Sequence, residues 1–184
     1  MKLSDVELLM LPGWTNAGPD HWMSRWQRGI KTARRVEQAD WDTPMLGDWV
    51  GRIIEGVALA TRPVLLIAHS CGVSAGVHAA HKLPPGLVAG AFLVAAPDLE
   101  ALDIWPATNG GFAPVPMTAL PFPSVLVASS TDPACTLERS AEFASSWGST
   151  LIEAGDAGHI NTESGHGPWP DGLLRLGAFL KRLG

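Results

Sequence analysis

Three side chains that could carry out nucleophilic catalysis follow three separate apolar segments of the chain. Ser70 comes directly after VLLIAH, Asp132 comes after SVLVASS, and His159 comes after TLIEAG. A serine hydroxyl becomes a strong nucleophile when a histidine takes its proton and a carboxylate holds that histidine in the right tautomer. The order Ser, Asp, His, each at a strand end, therefore predicts acyl transfer with Ser70 as nucleophile, Asp132 as acid and His159 as base.

The residues around Ser70 suit a sharp turn from a strand into a helix. The stretch AHSCG (68–72) has the form G-x-S-x-G, with alanine at the first glycine position. Such a turn exposes the serine hydroxyl, and it needs small residues on both sides because the strand and the helix pass close together. We expect the oxyanion to be held by two backbone N–H groups, those of Cys71 at the helix start and of Trp14 in the loop after the first strand.

Other residues could fill the same roles. Asp98 also follows a strand end and is the alternative acid, and His166 is the alternative base. We favour Asp132 because it follows the strand next to the one that precedes His159. Because His69 precedes the nucleophile, we expect its side chain to be packed and hydrogen-bonded.

The sequence predicts neither a metal nor a cofactor. His78 and His81 have the i, i+3 spacing that permits metal binding, but spacing identifies no further ligand. Neither GxGxxG nor GxxxxGK occurs in the chain, so no nucleotide-binding loop is predicted.

These residues need a parallel sheet to bring them together. Most of the strand candidates are nearly continuous hydrophobic runs, which is typical of parallel strands buried on both faces. Strand and helix segments alternate, which implies right-handed βαβ units. We therefore predict an α/β fold, a three-layer α/β/α sandwich with about six mainly parallel strands. The strand candidates are 6–11, 34–38, 64–69, 90–96, 124–130 and 150–155.

The longest irregular segment bears on the size of the substrate. Residues 97–123 contain six prolines and are interpreted as a long ordered loop. So short a segment leaves no room for a large cap domain, and we expect a small or shallowly bound substrate.

Tryptophan is the most abundant aromatic residue, with eight copies beside no tyrosine. We expect Trp14, Trp22, Trp105 and Trp169 to line an apolar substrate pocket because they lie near the predicted site. The alternative is that large apolar side chains simply fill the core.

Length and composition limit the other possibilities. A chain of 184 residues predicts a single domain over 1–184. A net charge of −5 without a Lys/Arg block argues against nucleic acid or an anionic membrane as the partner. Two cysteines and a short N-terminal apolar run favour the cytoplasm. The oligomeric state is left open.

A series of short motifs connects the chain to a known family. They are PGW (12–14), GPDHW (18–22), AHSCG (68–72), APD (96–98), SSTDP (129–133), GHIN (158–161), ESG (163–165) and WPDG (169–172). In these motifs the sequence resembles the small serine hydrolases of the retinoblastoma-binding-protein-nine type, a minimal branch of the α/β-hydrolases. The resemblance implies a cofactor-free, α/β-hydrolase-like enzyme with a Ser-His-Asp triad and no large cap domain.

Three functions are compatible with the sequence. The leading one is a carboxylesterase-like serine hydrolase acting on a small-molecule ester, thioester or activated amide. The second is an aminopeptidase or amidase that uses the same triad. The third is a protein-binding module on a hydrolase fold with vestigial activity, against which the intact Ser, Asp and His argue.

Overall fold

The computed structural model of the protein describes residues 1–102 and 110–184. After a 3₁₀ turn at Leu3–Asp5, the described residues form six strands and five helices, and all six predicted strands are present with ends shifted by a few residues. The strands are β1 (Glu7–Leu11), β2 (Ala33–Arg35), β3 (Val64–His69), β4 (Val88–Val94), β5 (Ser124–Ala128) and β6 (Thr150–Glu153). The helices are α1 (Trp22–Gly29), α2 (Leu46–Ala58), α3 (Cys71–Ala80), α4 (Leu137–Trp147) and α5 (Pro170–Arg182).

The strands form one sheet in the order β2-β1-β3-β4-β5-β6. Every neighbouring pair is parallel. The carboxyl ends of the strands, and the loops that follow them, therefore meet at one edge of the sheet. We call this the carboxyl edge, and it is where the sequence predicts the reactive side chains.

Two apolar clusters cover the two faces of the sheet. On one face, α2, α3 and α4 pack side chains such as Trp49, Val73 and Phe143 against the strands. On the other face, α1 and α5 contribute Trp26 and Leu176, among others. The central strand β3 is buried along its whole length, as its uninterrupted VLLIAH run predicts. The three-layer α/β/α prediction is confirmed.

The described parts of the 97–123 segment are irregular backbone packed onto the protein. The Phe112 side chain is fully buried, and the Trp147 indole N–H donates to the carbonyl oxygen of Pro116 at 2.8 Å. Residues 95–102 and 110–123 contain neither a helix nor a strand, so this part of the chain forms no large cap domain. Across 1–102 and 110–184, no helix has the length and hydropathy of a membrane span.

Candidate active site

Ser70 occupies a strained turn between β3 and α3. Its backbone has φ +54° and ψ −128°, in a region that costs a non-glycine residue about 1–3 kcal/mol. The turn brings α3 very close to β1, because a Cβ at Gly72 would lie 2.1 Å from the carbonyl oxygen of Leu11. Position 72 therefore has to be glycine, as the elbow pattern predicts.

The structure brings Ser70, His159 and Asp132 together at the carboxyl edge. His159 Nε2 lies 2.9 Å from Ser70 Oγ, and His159 Nδ1 lies 2.8 and 3.0 Å from the two carboxylate oxygens of Asp132. The Asp132 side chain is 3% exposed, so its carboxylate is shielded from competing water. With the proton on Nδ1, the imidazole donates to Asp132 and accepts from the Ser70 hydroxyl, which is the tautomer a general base needs.

Neither alternative residue is part of this arrangement. Asp98 accepts from the N–H of Glu100 at 3.3 Å and pairs with the Arg139 guanidinium at 3.4 Å. His166 Nδ1 lies 3.3 Å from Ser164 Oγ, and its ring packs edge-on against Trp169. Both side chains therefore have structural partners away from the Ser70 hydroxyl.

Two hydroxyl groups join the loop that carries the acid to the loop that carries the base. The buried Ser129 Oγ accepts from the N–H of Ala157 at 3.0 Å. Thr131 Oγ1 accepts from the N–H of Gly158 at 3.1 Å and donates to Asp156 at 2.7 Å. Sequence reasoning missed this role, although both hydroxyls belong to the SSTDP motif.

The loop after β1 lies directly against the nucleophile. A Cβ at Gly13 would be 2.8 Å from Ser70 Cβ, so only glycine allows the backbone this close. The next residue is Trp14, whose N–H is a predicted oxyanion donor. The other predicted donor, Cys71, begins α3, where first-turn N–H groups have no acceptor within the helix.

Cys71 itself is not a competing nucleophile. Its side chain is buried, and burial raises the pKa of the thiol to about 11, against a smaller lowering by the nearby backbone N–H of Trp14. Because the thiolate is the nucleophilic form, this thiol is unreactive at neutral pH. The prediction that Cys71 is a packing residue agrees with its burial.

A cavity of about 370 Å³ opens beside Ser70 and His159 at the carboxyl edge. Trp14 is among the residues that line it. Sequence reasoning did not assign the other wall residues, although their place in loops after β4 and β6 would have identified them. These are chiefly Leu99, Leu102, Asn161, Thr162 and Glu163.

Trp22 and Trp169, which are also predicted to line the pocket, are not among its lining residues. Trp22 is fully buried and Trp169 is 5% exposed, and their rings pack against each other with centroids 4.9 Å apart. Trp22 also donates its indole N–H to the carbonyl oxygen of Ile160 at 2.9 Å, one residue after the candidate base. The prediction that they contact substrate is wrong, because both rings fill the core under α1 and α5. Trp105 lies outside the described residues.

A larger groove, of about 580 Å³, lies at the opposite edge of the sheet. Its walls include Glu7, Lys31 and Arg62, and no serine–histidine pair is among the residues that line it. Chemistry rather than size therefore identifies the smaller cavity as the candidate active site.

No cluster of three or more potential metal ligands occurs within residues 1–102 and 110–184. His78 Nε2 instead lies 3.1 Å from the carbonyl oxygen of Phe112, and His81 Nε2 lies 3.4 Å from Thr118 Oγ1. These two histidines attach α3 to the segment that follows residue 110.

Two further histidines are buried beside the candidate base. His69 Nε2 lies 2.9 Å from the carbonyl oxygen of His159, and the two rings are 5.1 Å apart. The His21 ring is 4.9 Å from that of His69, and its Nδ1 accepts from the N–H of Met23 to cap α1. Burial lowers the pKa of His21 to about 4 and holds the pKa of His69 well below its ordinary value. Both rings are therefore neutral at physiological pH, and His69 is packed and hydrogen-bonded as expected.

We expect acid to destabilise the protein through His21. Between pH 6.5 and about 4 the unfolded chain binds a proton at this position that the folded protein does not, so the free energy of unfolding falls as the pH falls. The contribution reaches about 3 kcal/mol, at about 1.4 kcal/mol per pKa unit. His21→Asn keeps a capping oxygen for Met23 and does not titrate. Urea unfolding should show a shallower pH dependence for this variant.

The exposed His81 gives the control for this measurement. His81→Asn makes the same substitution at an exposed position, so its slope shows what the change from histidine to asparagine does away from the buried site. An unchanged slope in His21→Asn would show that other groups cause the acid sensitivity.

The chain is similar to proteins of one enzyme class. Residues 8–178 match the model of the family described as serine hydrolase. No curated protein matches the chain significantly.

Solved structures show the same fold. A protein described as a YdeN-like hydrolase, from Pectobacterium atrosepticum, is 33% identical with a TM-score of 0.86, over 98% of this chain and 93% of that chain. The ydeN gene product of Bacillus subtilis is 19% identical with a TM-score of 0.71, over 96% of this chain and 98% of that chain. Thermogutta terrifontis esterase 2 is 13% identical with a TM-score of 0.70, over 100% of this chain and 86% of that chain. The last two likenesses show the fold alone.

Proposed function

Because the chain belongs to the serine hydrolase family, we propose that it cleaves a small ester, thioester or activated amide through a covalent acyl intermediate on Ser70. The observation that carries the proposal is the hydrogen-bonded series from Asp132 through His159 to Ser70, beside an open cavity. Nucleophile, base and acid are all within hydrogen-bond distance of their partners, which is the geometric requirement for this chemistry.

The reaction proceeds in two halves. Ser70 Oγ attacks the carbonyl carbon while His159 Nε2 takes the hydroxyl proton, and the carbonyl oxygen becomes an oxyanion held by the N–H groups of Trp14 and Cys71. The intermediate collapses as His159 returns the proton to the leaving alcohol, thiol or amine. A water molecule then gives its proton to His159 and attacks the acyl group, and the acid leaves as Ser70 regains its proton. Asp132 keeps its negative charge throughout and stabilises the imidazolium.

The cavity favours a small acyl group. Its volume of about 370 Å³ lies at the lower end of the range for small-molecule pockets, roughly 300–1,000 Å³. The apolar part of its wall comes from Trp14, Pro97, Leu99 and Leu102. We also propose that the protein is a carboxylesterase of the retinoblastoma-binding-protein-nine type and that it is located in the cytoplasm.

The test is a turnover series with the purified protein. 4-Nitrophenyl esters with acyl chains of two to twelve carbons should give the highest kcat/KM at short chains and a decline as the chain lengthens. An acyl thioester and an aminoacyl amide of similar size then rank the leaving groups. Ser70→Ala should abolish turnover of all of them.

Two outcomes would contradict the proposal. If the folded protein hydrolyses none of these substrates, the hydrolase proposal fails and a binding role becomes the better account. If kcat/KM rises steadily to the longest chains, the protein is a hydrolase but the small-substrate part is wrong.

A further inference from the structure

The loops at the carboxyl edge carry only one sign of charge. They are the segments after β1 (12–21), β2 (36–45), β4 (95–102), β5 (129–136) and β6 (154–169). These segments contain nine of the chain's 18 carboxylates and none of its 13 Lys and Arg residues. The carboxylates are Asp20, Glu37, Asp40, Asp42, Asp98, Glu100, Asp132, Asp156 and Glu163.

The opposite edge of the sheet has the reverse character. The segments that lead into β2 (30–32), β3 (59–63) and β4 (81–87) contain Lys31, Arg62 and Lys82 and no carboxylate, while the start of the chain adds Lys2, Asp5 and Glu7. The negative charge of the protein is therefore concentrated on the side where Ser70 lies.

The charged residue of the cavity wall is negative, like the charged residues of the carboxyl edge around it. Glu163 is the one Asp, Glu, Lys or Arg among the described residues that line it. The arginines of neighbouring elements are occupied: Arg25 pairs with Asp20 at 2.9 Å, and Arg139 pairs with Glu100 at 2.6 Å.

One further arginine lies close to the site, behind the loop that follows β1. Arg35 donates to Asn16 Oδ1 at 2.7 Å and to Ser24 Oγ at 2.6 Å. Arg35 therefore contacts the loop after β1 and helix α1, and it is not among the residues that line the cavity. Its positive charge therefore lies one hydrogen bond behind Asn16 of the cavity wall, whereas Glu163 is an exposed residue of the wall itself.

We infer that the active site selects neutral or cationic acyl substrates and disfavours those that carry phosphate, sulfonate or carboxylate groups near the scissile bond. The inference rests on the proposed hydrolase function and names its substrate class. A cleft lined by one sign of charge focuses the field, and such fields change association rates by roughly 10- to 1,000-fold in an ionic-strength-dependent way.

The test uses three thioacetates whose leaving thiols differ in charge, and each kcat/KM is divided by the rate constant of hydroxide-catalysed hydrolysis because the thiols also differ in acidity. They are the S-acetyl derivatives of thiocholine, of 3,3-dimethylbutanethiol and of 2-mercaptoethanesulfonate, which are cationic, neutral and anionic. At low ionic strength we expect kcat/KM to fall in that order, with at least about a tenfold difference between the first and the last. At 0.5 M NaCl the ratio should approach one, because salt screens exposed charges.

Glu163→Gln and Glu55→Gln, which make the same change of charge at two places, locate the effect. Glu163→Gln should reduce the cation-to-anion ratio of kcat/KM several-fold, and Glu163→Lys should reduce it further. Glu55→Gln also removes one exposed carboxylate, but from the end of α2 that leads towards the opposite edge, and should leave the ratio at its wild-type value.

The outcomes separate this inference from the proposed function. Turnover of all three thioacetates at similar rates, or faster turnover of the anionic one, overturns the charge selection while leaving the hydrolase in place. An equal reduction of the ratio by Glu55→Gln also overturns it, because net charge rather than the site would then be responsible. Failure to hydrolyse any of the three, together with failure on the neutral 4-nitrophenyl esters, contradicts the hydrolase proposal itself.

Discussion

Replacing Asp132 with asparagine is expected to lower kcat by about 10⁴-fold, the loss that the same change causes in a well-characterised serine protease triad. The carboxylate accepts a hydrogen bond from His159 Nδ1 at 2.8 Å, and its side chain is almost completely buried. Asparagine keeps the shape but removes the negative charge, and its amide stabilises the tautomer that places the proton on Nε2. That tautomer cannot accept the proton of Ser70. Steady-state kinetics on a short ester, with circular dichroism to verify folding, measures the loss.

Asp98→Asn is the matched control, because Asp98 follows a strand end in the same sheet. Its carboxylate pairs with Arg139, and its backbone N–H, which the substitution retains, donates to the carbonyl oxygen of Ala134 at 2.9 Å. We expect kcat within a few-fold of wild type. If Asp98→Asn causes the large loss and Asp132→Asn is tolerated, the assignment of the acid is wrong.

Gly72→Ala is expected to have the largest effect on stability. The added Cβ would lie 2.1 Å from the carbonyl oxygen of Leu11 and 2.5 Å from that of Pro12. Both are backbone atoms at the end of β1, which pairs with a strand on each side and cannot move away. Overpacking usually costs about 1–3 kcal/mol, and a clash with fixed backbone exceeds that range. We expect a loss of more than about 3 kcal/mol in the free energy of unfolding, measured by urea denaturation, or no folded protein.

Gly51→Ala makes the same chemical change where there is space. Gly51 lies inside α2, and a Cβ there meets no atom within 4 Å. Alanine should stabilise this helix by about 0.5–1 kcal/mol because it loses less backbone entropy than glycine. A wild-type urea midpoint for Gly72→Ala would contradict the close packing of α3 on β1.

The order of the reactive side chains and the positions of the strands could be predicted from the sequence for the same physical reason. Strands buried on both faces leave uninterrupted hydrophobic runs, and parallel strands place the residues that follow them at one edge. Strand ends were less predictable. β2 was expected over 34–38 but covers Ala33–Arg35, because it pairs only with the short stretch Leu8–Met10 of β1.

At the candidate site, the sequence could not predict which side chains line the cavity, because tertiary packing decides this. Trp14, Trp22 and Trp169 have the same side chain and lie near the same loops, yet only Trp14 lines the cavity. Whether an indole faces a cavity or the core depends on which helix covers it, and local sequence does not contain that information. The hydrogen bonds of Ser129 and Thr131 to the loop after β6 could not be predicted for the same reason.

Reaction of the purified protein with a fluorophosphonate, followed by intact-mass spectrometry, tests most directly whether Ser70 is an activated nucleophile. The structure places Ser70 Oγ 2.9 Å from His159 Nε2, and an activated serine of this kind is phosphonylated. We predict one adduct on the wild type, none on Ser70→Ala, and a strongly slowed reaction on His159→Ala. A folded wild-type protein that forms no adduct, or an adduct that persists on Ser70→Ala, would contradict the assignment of Ser70 as the nucleophile.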